Sequence, residues 1–253
     1  MSPSFAEIAP SYDVLRPLSA GDRARLETLL RDAALHAGDL VVEVGCGTGR
    51  LTLPLSALTP SRVMGVDTEP RMLEVARGKD TAGRVEWVRG SAYRLPVSDQ
   101  AATLVAMIMV VHLLRQRVRA FTEAHRILRP VGQLSIWTFT PRHVEEFYLN
   151  PYFPSIAVLD RPRFPSVAVL TAELQRAGFR DVRVDLQNEP RQMDIADVVD
   201  RVRGRYISTL AMLPALEYRL GLQRLEEMLA QDRSIRLTQR SEWAIITARS
   251  SAE

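Results

Sequence analysis

Three glycines at alternate positions, Gly45, Gly47 and Gly49, lie between a β-branched run (Val41, Val42, Val44) and a helix-compatible stretch, Leu51 to Leu58. A strand, a tight turn and a helix start in that order make a backbone cradle. Glycine takes positive φ and removes the Cβ that would hold a ligand off the main chain. The free N–H groups of a helix start favour polar or anionic ligand groups. Glu43 and Cys46 add a carboxylate and a thiol beside the cradle. Asp67 closes a second apolar run, Arg62 to Val66, and His112 falls just past another, Thr103 to Met109. An acid and an imidazole at strand ends can hold a polar ligand or move a proton.

The elements that position these groups alternate along the chain. Strands are expected at 40–44, 62–66, 84–88, 103–109 and 132–139, and helices from Asp22 to His36 and near 49–58, 70–78 and 115–128. Strand alternating with helix predicts a parallel sheet covered on both faces. Thr103 to Met109 is apolar almost throughout, as a central parallel strand should be. Pro141 to Pro165 holds five prolines and several aromatics and reads as an irregular insertion. A short helix over Thr171–Gly178, a strand over Val182–Leu186, helical periodicity over 194–232 and a last strand near 241–249 complete the chain.

Length and composition narrow the class. With 253 residues, 46% hydrophobic and 25% charged, the chain is one large globular domain or one domain with an elaboration. The longest apolar run, Leu104 to Leu114, is too short to span a bilayer, and no signal peptide is visible, so a cytoplasmic location is expected. A single cysteine excludes an internal disulfide and a Cys-rich zinc site, and no metal is expected. The pI of about 9.3 invites a nucleic-acid reading. Net charge is only +3, however, and the arginines are spread along the chain, so no nucleic-acid partner is expected. Lys79 is the sole lysine among 33 basic residues.

Several segments in order resemble the class I S-adenosylmethionine-dependent methyltransferases, in particular the small-molecule branch that includes ubiquinone-biosynthesis and trans-aconitate types. These are Glu43-Val-Gly-Cys-Gly-Thr-Gly49, Gly65-Val-Asp67, Val88-Arg-Gly90-Ser-Ala92, Leu95-Pro-Val-Ser-Asp99 and Glu123-Ala-His-Arg-Ile-Leu-Arg-Pro-Val-Gly132. The resemblance covers residues 10–140 well and 170–188 less closely, while 189–253 match in layout only. It implies a Rossmann-like α/β fold with a mostly parallel seven-stranded sheet, helices on both faces and a helical cap. It also implies one methyltransferase domain over 1–253: lid helices at 1–36, a cofactor core at 37–140, cap insertions at 141–168 and 189–235, and the last part of the sheet from 169–188 and 236–253.

By the same resemblance the cofactor is S-adenosylmethionine and the partner a small-molecule methyl acceptor. Asp67, 18 residues after Gly49, would accept the ribose hydroxyls, or else cap the helix starting near Pro70. Glu43 would face the ammonium end of the cofactor or serve as a buried partner for a loop N–H. Gly45, Cys46, Gly47 and Gly49 form the cradle, where Cys46 needs only to be small. Thr68, Met72, Ser91, Ala92 and Met109 would flank the cofactor, Met72 alternatively being core. Ser91 stands where the family usually carries Asp. Tyr12 and Arg16, in Tyr-Asp-x-x-Arg-Pro, resemble a lid over the cofactor's tail; a surface helix start is the other reading.

Methyl transfer asks the enzyme to align the acceptor, exclude water and, where needed, remove a proton. His112 is the candidate base or acceptor-orienting group, against the alternative that it packs the following turn. Trp137 and Thr138 end the fifth strand and would line the acceptor pocket or belong to the core. Arg142 and His143 follow where an anionic acceptor would be met, though the segment reads more as a solvated loop. Arg201, Arg203, Arg205 and Tyr206 would present positive charge to an acid substrate or, more simply, form a solvated charged helix face. Met109-Val-Val-His112 replaces the Asn/Asp-Pro-Pro-Tyr of base-amine methyltransferases, and one cysteine argues against arsenite methylation. A nucleic-acid or protein methyltransferase, and a cofactor-binding protein without transfer activity, remain as alternatives.

Overall fold

The structure is a computed structural model that describes residues 5–251. The outermost residues of the expected 1–36 and 236–253 segments lie outside that range. Two short helical turns, Phe5–Ile8 and Tyr12–Leu15, precede α1 (Ala20–Ala33). Ser19 starts α1 with a reciprocal cap: its hydroxyl accepts from Asp22 N, and its own N–H donates to the Asp22 carboxylate, each at 3.0 Å. Then follow β1 (Leu40–Val44), α2 (Thr52–Leu58), β2 (Arg62–Asp67), α3 (Pro70–Lys79), β3 (Val85–Arg89), β4 (Ala102–Ile108), α4 (Arg117–Ile127) and β5 (Leu128–Phe139). After the cap insertion come α5 (Val167–Arg176), β6 (Arg180–Asp194), α6 (Ile195–Arg203), α7 (Ala215–Gln231) and β7 (Arg236–Arg249).

The seven strands form one sheet in the order β3-β2-β1-β4-β5-β7-β6. Neighbours from β3 to β5 run parallel, and β7 runs antiparallel to both β5 and β6. All seven residues of β4 are buried, which is why its sequence lacks alternation. One face packs Phe121, Ala124 and Ile127 of α4 with Leu170 and Leu174 of α5. The other packs Leu26 and Leu29 of α1 with Leu51, Leu55 and Trp137. The expected doubly covered, mostly parallel seven-stranded sheet is therefore what the chain builds.

The cap departs from expectation in three places. β6 continues to Asp194, past the boundary placed at 189, because residues 188–194 pair with 236–242 of β7 as a two-stranded ribbon beyond the main sheet. That polar stretch has no apolar alternation to announce a strand. The helical periodicity of 194–232 is split into α6, a 3₁₀ turn at Ser208–Ala211 and α7. Gly204 ends α6, where a Cβ would come within 2.6 Å of Leu15, and Pro214 precedes α7. The insertion at 141–165 is more regular than its prolines suggest, with short helices at Pro141–Glu145 and Ser155–Asp160. Its aromatics Phe147, Tyr148, Tyr152 and Phe153 pack with α6 and α7 in a separate cap core. Among the described residues no helix is long and apolar enough to cross a membrane.

Candidate functional site

At the carboxyl ends of β1, β2 and β4 the chain encloses a cavity of about 740 Å³. Its floor is the glycine loop. The N–H groups of Gly45 and Cys46 point back to Val66 O, at 2.7 and 3.2 Å, and tie the loop to β2. Gly47 takes φ +54, and a Cβ placed on it would meet nothing within 4 Å, so its open side is free for a ligand. Gly49 serves packing instead, because a Cβ there would collide with the Trp87 ring. Gly45 and Gly47 line the cavity; Gly49 does not.

Asp67 links loop and sheet. One carboxylate oxygen accepts from Gly47 N at 2.8 Å and the other from Glu69 N at 2.9 Å. The second bond is a helix-entry contact of the capping kind, yet Asp67 also stands on the cavity wall, and each oxygen keeps a further lone pair. The helix-entry contact thus leaves the carboxylate facing the cavity. Thr68, Met72, Ser91 and Ala92 share that wall. The Ser91 hydroxyl accepts from Tyr93 N at 3.2 Å and retains its own proton to donate. Met109 lines the opposite side at φ +52, a left-handed conformation held by its N–H bond to Trp137 O at 2.9 Å. Such strain in a non-glycine residue concentrates at functional sites.

Glu43 and Cys46 lie behind the wall. Glu43 is 2% exposed and its buried Oε2 has no hydrogen-bond partner. Burial pushes its carboxyl up to about 7. The N–H groups of Gly45 and Cys46 go to Val66, that of Gly47 to Asp67 and that of Gly49 to Cys46 O, so this carboxylate serves none of these four. Burial, then the charges of Glu43 and Asp67, push the Cys46 thiol up and away from nucleophilic use.

The N-terminal segment roofs the cavity with Tyr12 and Arg16. Arg16 Nε donates to Tyr206 O at 2.6 Å and Nη1 to Tyr12 Oη at 2.9 Å. Between them Asp13 is pinned from both sides: it accepts from Thr48 Oγ1 of the glycine loop at 2.5 Å and pairs with Lys79, the sole lysine. Tyr12–Leu15 is therefore no free surface turn.

His112 sits where the main cavity meets a recess of about 60 Å³. Its ring stacks on Phe164 at 4.6 Å between centroids, and its buried Nδ1 has no partner. Burial, then the guanidiniums of Arg163 and Arg16, hold its pKa down to about 3, so the ring is neutral at physiological pH. Phe139, His143, Phe147 and Phe164 line the recess. His143 is buried and stacked on Phe139 at 3.6 Å, with burial holding its pKa near about 3, so it is not on a solvated loop. Arg142 is exposed and pairs with Glu146.

Arg163 is the group that sequence reasoning missed. It lines both cavities, donating to Asp160 at 2.7 Å, Thr209 at 3.0 Å and Ser208 at 2.9 Å. Its only local signal is a basic residue between Pro162 and Pro165 in an aromatic segment. Tyr93, Arg115, Ser208 and Met212 were likewise missed. Trp137 belongs to the core, and Tyr206 is buried against Tyr148. Arg203 pairs with Glu226, and Arg201, Arg203 and Arg205 do not line either cavity. Among the described residues no cluster of His, Cys, Asp and Glu could hold a metal ion.

Known proteins with similar sequences and folds bear on this geometry. The sequence profile of a family described as a methyltransferase domain matches residues 42–136. The ubiquinone/menaquinone biosynthesis C-methyltransferase UbiE of Geotalea daltonii is 30% identical over 169 residues, covering 61% of this chain and 72% of that protein. The protein of the same name from Geobacter sp. (strain M21) is 29% identical over 208 residues, covering 71% and 87%. Among solved structures, the YcgJ protein from Bacillus subtilis superposes with a TM-score of 0.66 at 18% identity, covering 90% of this chain and 98% of that one. This last likeness speaks to the fold alone.

Proposed function

The chain belongs to the class I S-adenosylmethionine-dependent methyltransferases that act on small molecules, and on that premise we propose that its acceptor is a hydroxylated aromatic ring entering from the cap side. The residues present suit the cofactor. Gly47 offers an open floor, Asp67 has lone pairs for two ribose hydroxyls, and the cavity is in the size range of drug-sized ligands. The Glu43 carboxyl, buried with one oxygen unpartnered and raised to about 7, would give up its proton when the cationic amino-acid end lies near it. Tyr12 and Arg16 would close over that end. When bound, S-adenosylmethionine supplies a methyl group already activated on a sulfonium sulfur.

The observation that carries the acceptor reading is the shared wall of His112, Arg16 and Arg163 beside a recess of aromatic rings. Arg16 has no carboxylate partner among the described residues, and Arg163 has Asp160. A ring hydroxyl placed there meets a neutral imidazole that accepts its hydrogen bond and two guanidiniums that favour its ionised form. His112 therefore orients the hydroxyl and receives its proton only as the oxygen's own acidity rises. A recess of about 60 Å³ is too small for a ring, so the ring would lie in the larger cavity with one substituent in the recess. Relatives named for quinone biosynthesis support a ring acceptor.

The test has two steps. Calorimetric titration with S-adenosylhomocysteine should show saturable binding that Asp67→Ala loses. Turnover with S-adenosylmethionine is then compared for phenols and quinols, aliphatic carboxylic acids and amines. Hydroxyarenes should turn over, and His112→Gln and Arg163→Gln should each lower kcat/KM by at least about tenfold while product affinity stays within about twofold. Turnover confined to amines or aliphatic acids would overturn the acceptor reading, and binding without any turnover would favour a cofactor-binding protein.

A further inference from the structure

The sheet order leaves one long strand at the edge. β6 pairs with β7 alone among the described strands and spans 15 residues, whereas β3 at the other edge has five. Sheet edges are normally short, charged, bulged or covered, because their unpaired N–H and C=O groups recruit other strands. β6 carries such guards at two points: Asp181 at φ +50 with a register shift beside it, and Pro190. Residues 183–189 between them have neither.

Two further observations fall in this unguarded stretch. Val184 and Leu186 are 40% and 53% exposed on the face where their β7 partners Ile246 and Ala244 are buried in the core. Val182, on the same face, packs against that core. On the other face Arg183 makes no ion pair among the described residues, and Asp185 is held only by Gln187 Nε2 at 2.6 Å. The strand thus presents apolar area and two uncompensated, opposite charges at an open edge.

We propose that two copies of this chain pair antiparallel through the outer edge of β6 about a twofold axis centred on Val184. A twofold perpendicular to the sheet sets residues of equal parity opposite each other on one face. Centred on Val184, it faces Val184 with its own copy and Arg183 with Asp185 twice over. Moving the centre by one residue sets arginine against arginine or aspartate against aspartate. Directly opposed cross-strand pairs gain when charges are opposite and lose when they are alike. The charge pattern therefore selects both the partner, a second copy, and the register. None of residues 182–187 lines the cavity, so the pairing leaves the candidate site open.

Sedimentation velocity or light scattering on the full chain, from about 1 to 100 µM, tests this against a chain mass of 28.4 kDa. The mass should approach twice that value with rising concentration. Arg183→Asp or Asp185→Arg alone sets like charges opposite each other at two symmetric positions and should weaken association at least about tenfold. The double charge swap should restore it. Both positions are exposed, so folding is not at stake, and unchanged S-adenosylhomocysteine affinity serves as the control. A monomer at the highest concentration would overturn the proposal. So would a dimer indifferent to the single reversals, or one that the double swap fails to rescue.

Discussion

Replacing Glu43 with Gln should steepen the acid sensitivity of the protein, and the sign follows from three buried groups that titrate in opposite senses. Burial pushes the Glu43 carboxyl from 4.5 up to about 7. Its contribution to stability is fully present below 4.5 and is lost as pH rises through 7, where the folded state must bury an unpaired charge. A shift of that size is worth about 3 kcal/mol as an order of magnitude. His112 and His143 behave in reverse: burial holds each down from 6.5 to about 3. Their contribution is present above 6.5 and is lost as pH falls, because the unfolded chain takes up the protons. Around pH 6, unfolding therefore binds about 1.5 protons at the histidines and releases about 0.9 from Glu43, a net uptake of about 0.6. Stability should rise with pH there at about 0.9 kcal/mol per unit in the native protein and about 2 in Glu43→Gln. Asp160, whose carboxyl burial also raises, acts in the direction of Glu43 toward the acid end. At pH 8 the variant escapes the buried charge but leaves an amide unsatisfied at a cost of about 1–3 kcal/mol, so the two proteins should differ there by no more than about 2 kcal/mol. Urea unfolding at half-unit pH steps reads the slopes directly. Equal slopes would refute the reasoning, since they would mean that the Glu43 carboxyl is already ionised by a partner. Calorimetry of S-adenosylhomocysteine binding at pH 6 in buffers of different ionisation enthalpy adds a second reading. Proton release by the native protein, absent in the variant, would tie Glu43 to the ligand's ammonium group.

Two other perturbations separate binding from folding. Gly47→Ala should fold with a loss of about 1 kcal/mol for its positive φ yet bind S-adenosylhomocysteine at least about tenfold more weakly, whereas Gly49→Ala should lower thermal stability more, by collision with Trp87; equal effects on binding and Tm in both variants would defeat this division of labour. Asp13→Asn removes the charge that ties the roof to Lys79 while keeping an acceptor for Thr48, and should speed S-adenosylhomocysteine release by about three- to tenfold in stopped-flow with Tm nearly unchanged; an unaltered off-rate would show that the contact does not hold the roof.

The sequence by itself determined the scaffold and the cradle. β1, the glycine loop and Asp67 are read locally: β-branched runs specify buried parallel strands, alternate glycines specify the turn, and an acid at a strand end is fixed within two residues of its backbone partner. Phe121, Ala124 and Ile127 show their face by spacing alone. Tertiary structure decided what each group does. Only the packing of Trp87 separates Gly49 from Gly47, and only the depth of the loop sets Glu43 behind the wall. His143 reads as solvated because its neighbours Arg142, Glu145 and Glu146 are polar, yet it is buried by Phe139 and the cap. Arg163 joins His112 on the cavity wall from a segment some fifty residues further along the chain, held there by Asp160, Ser208 and Thr209. Asp13 and Lys79 meet across 66 positions. β6 runs past its apolar residues because β7, not its own composition, supplies its hydrogen bonds. Periodicity encodes which side of an element is buried; it does not encode which distant element does the burying, and the recess beside His112 is made almost wholly of such distant contacts.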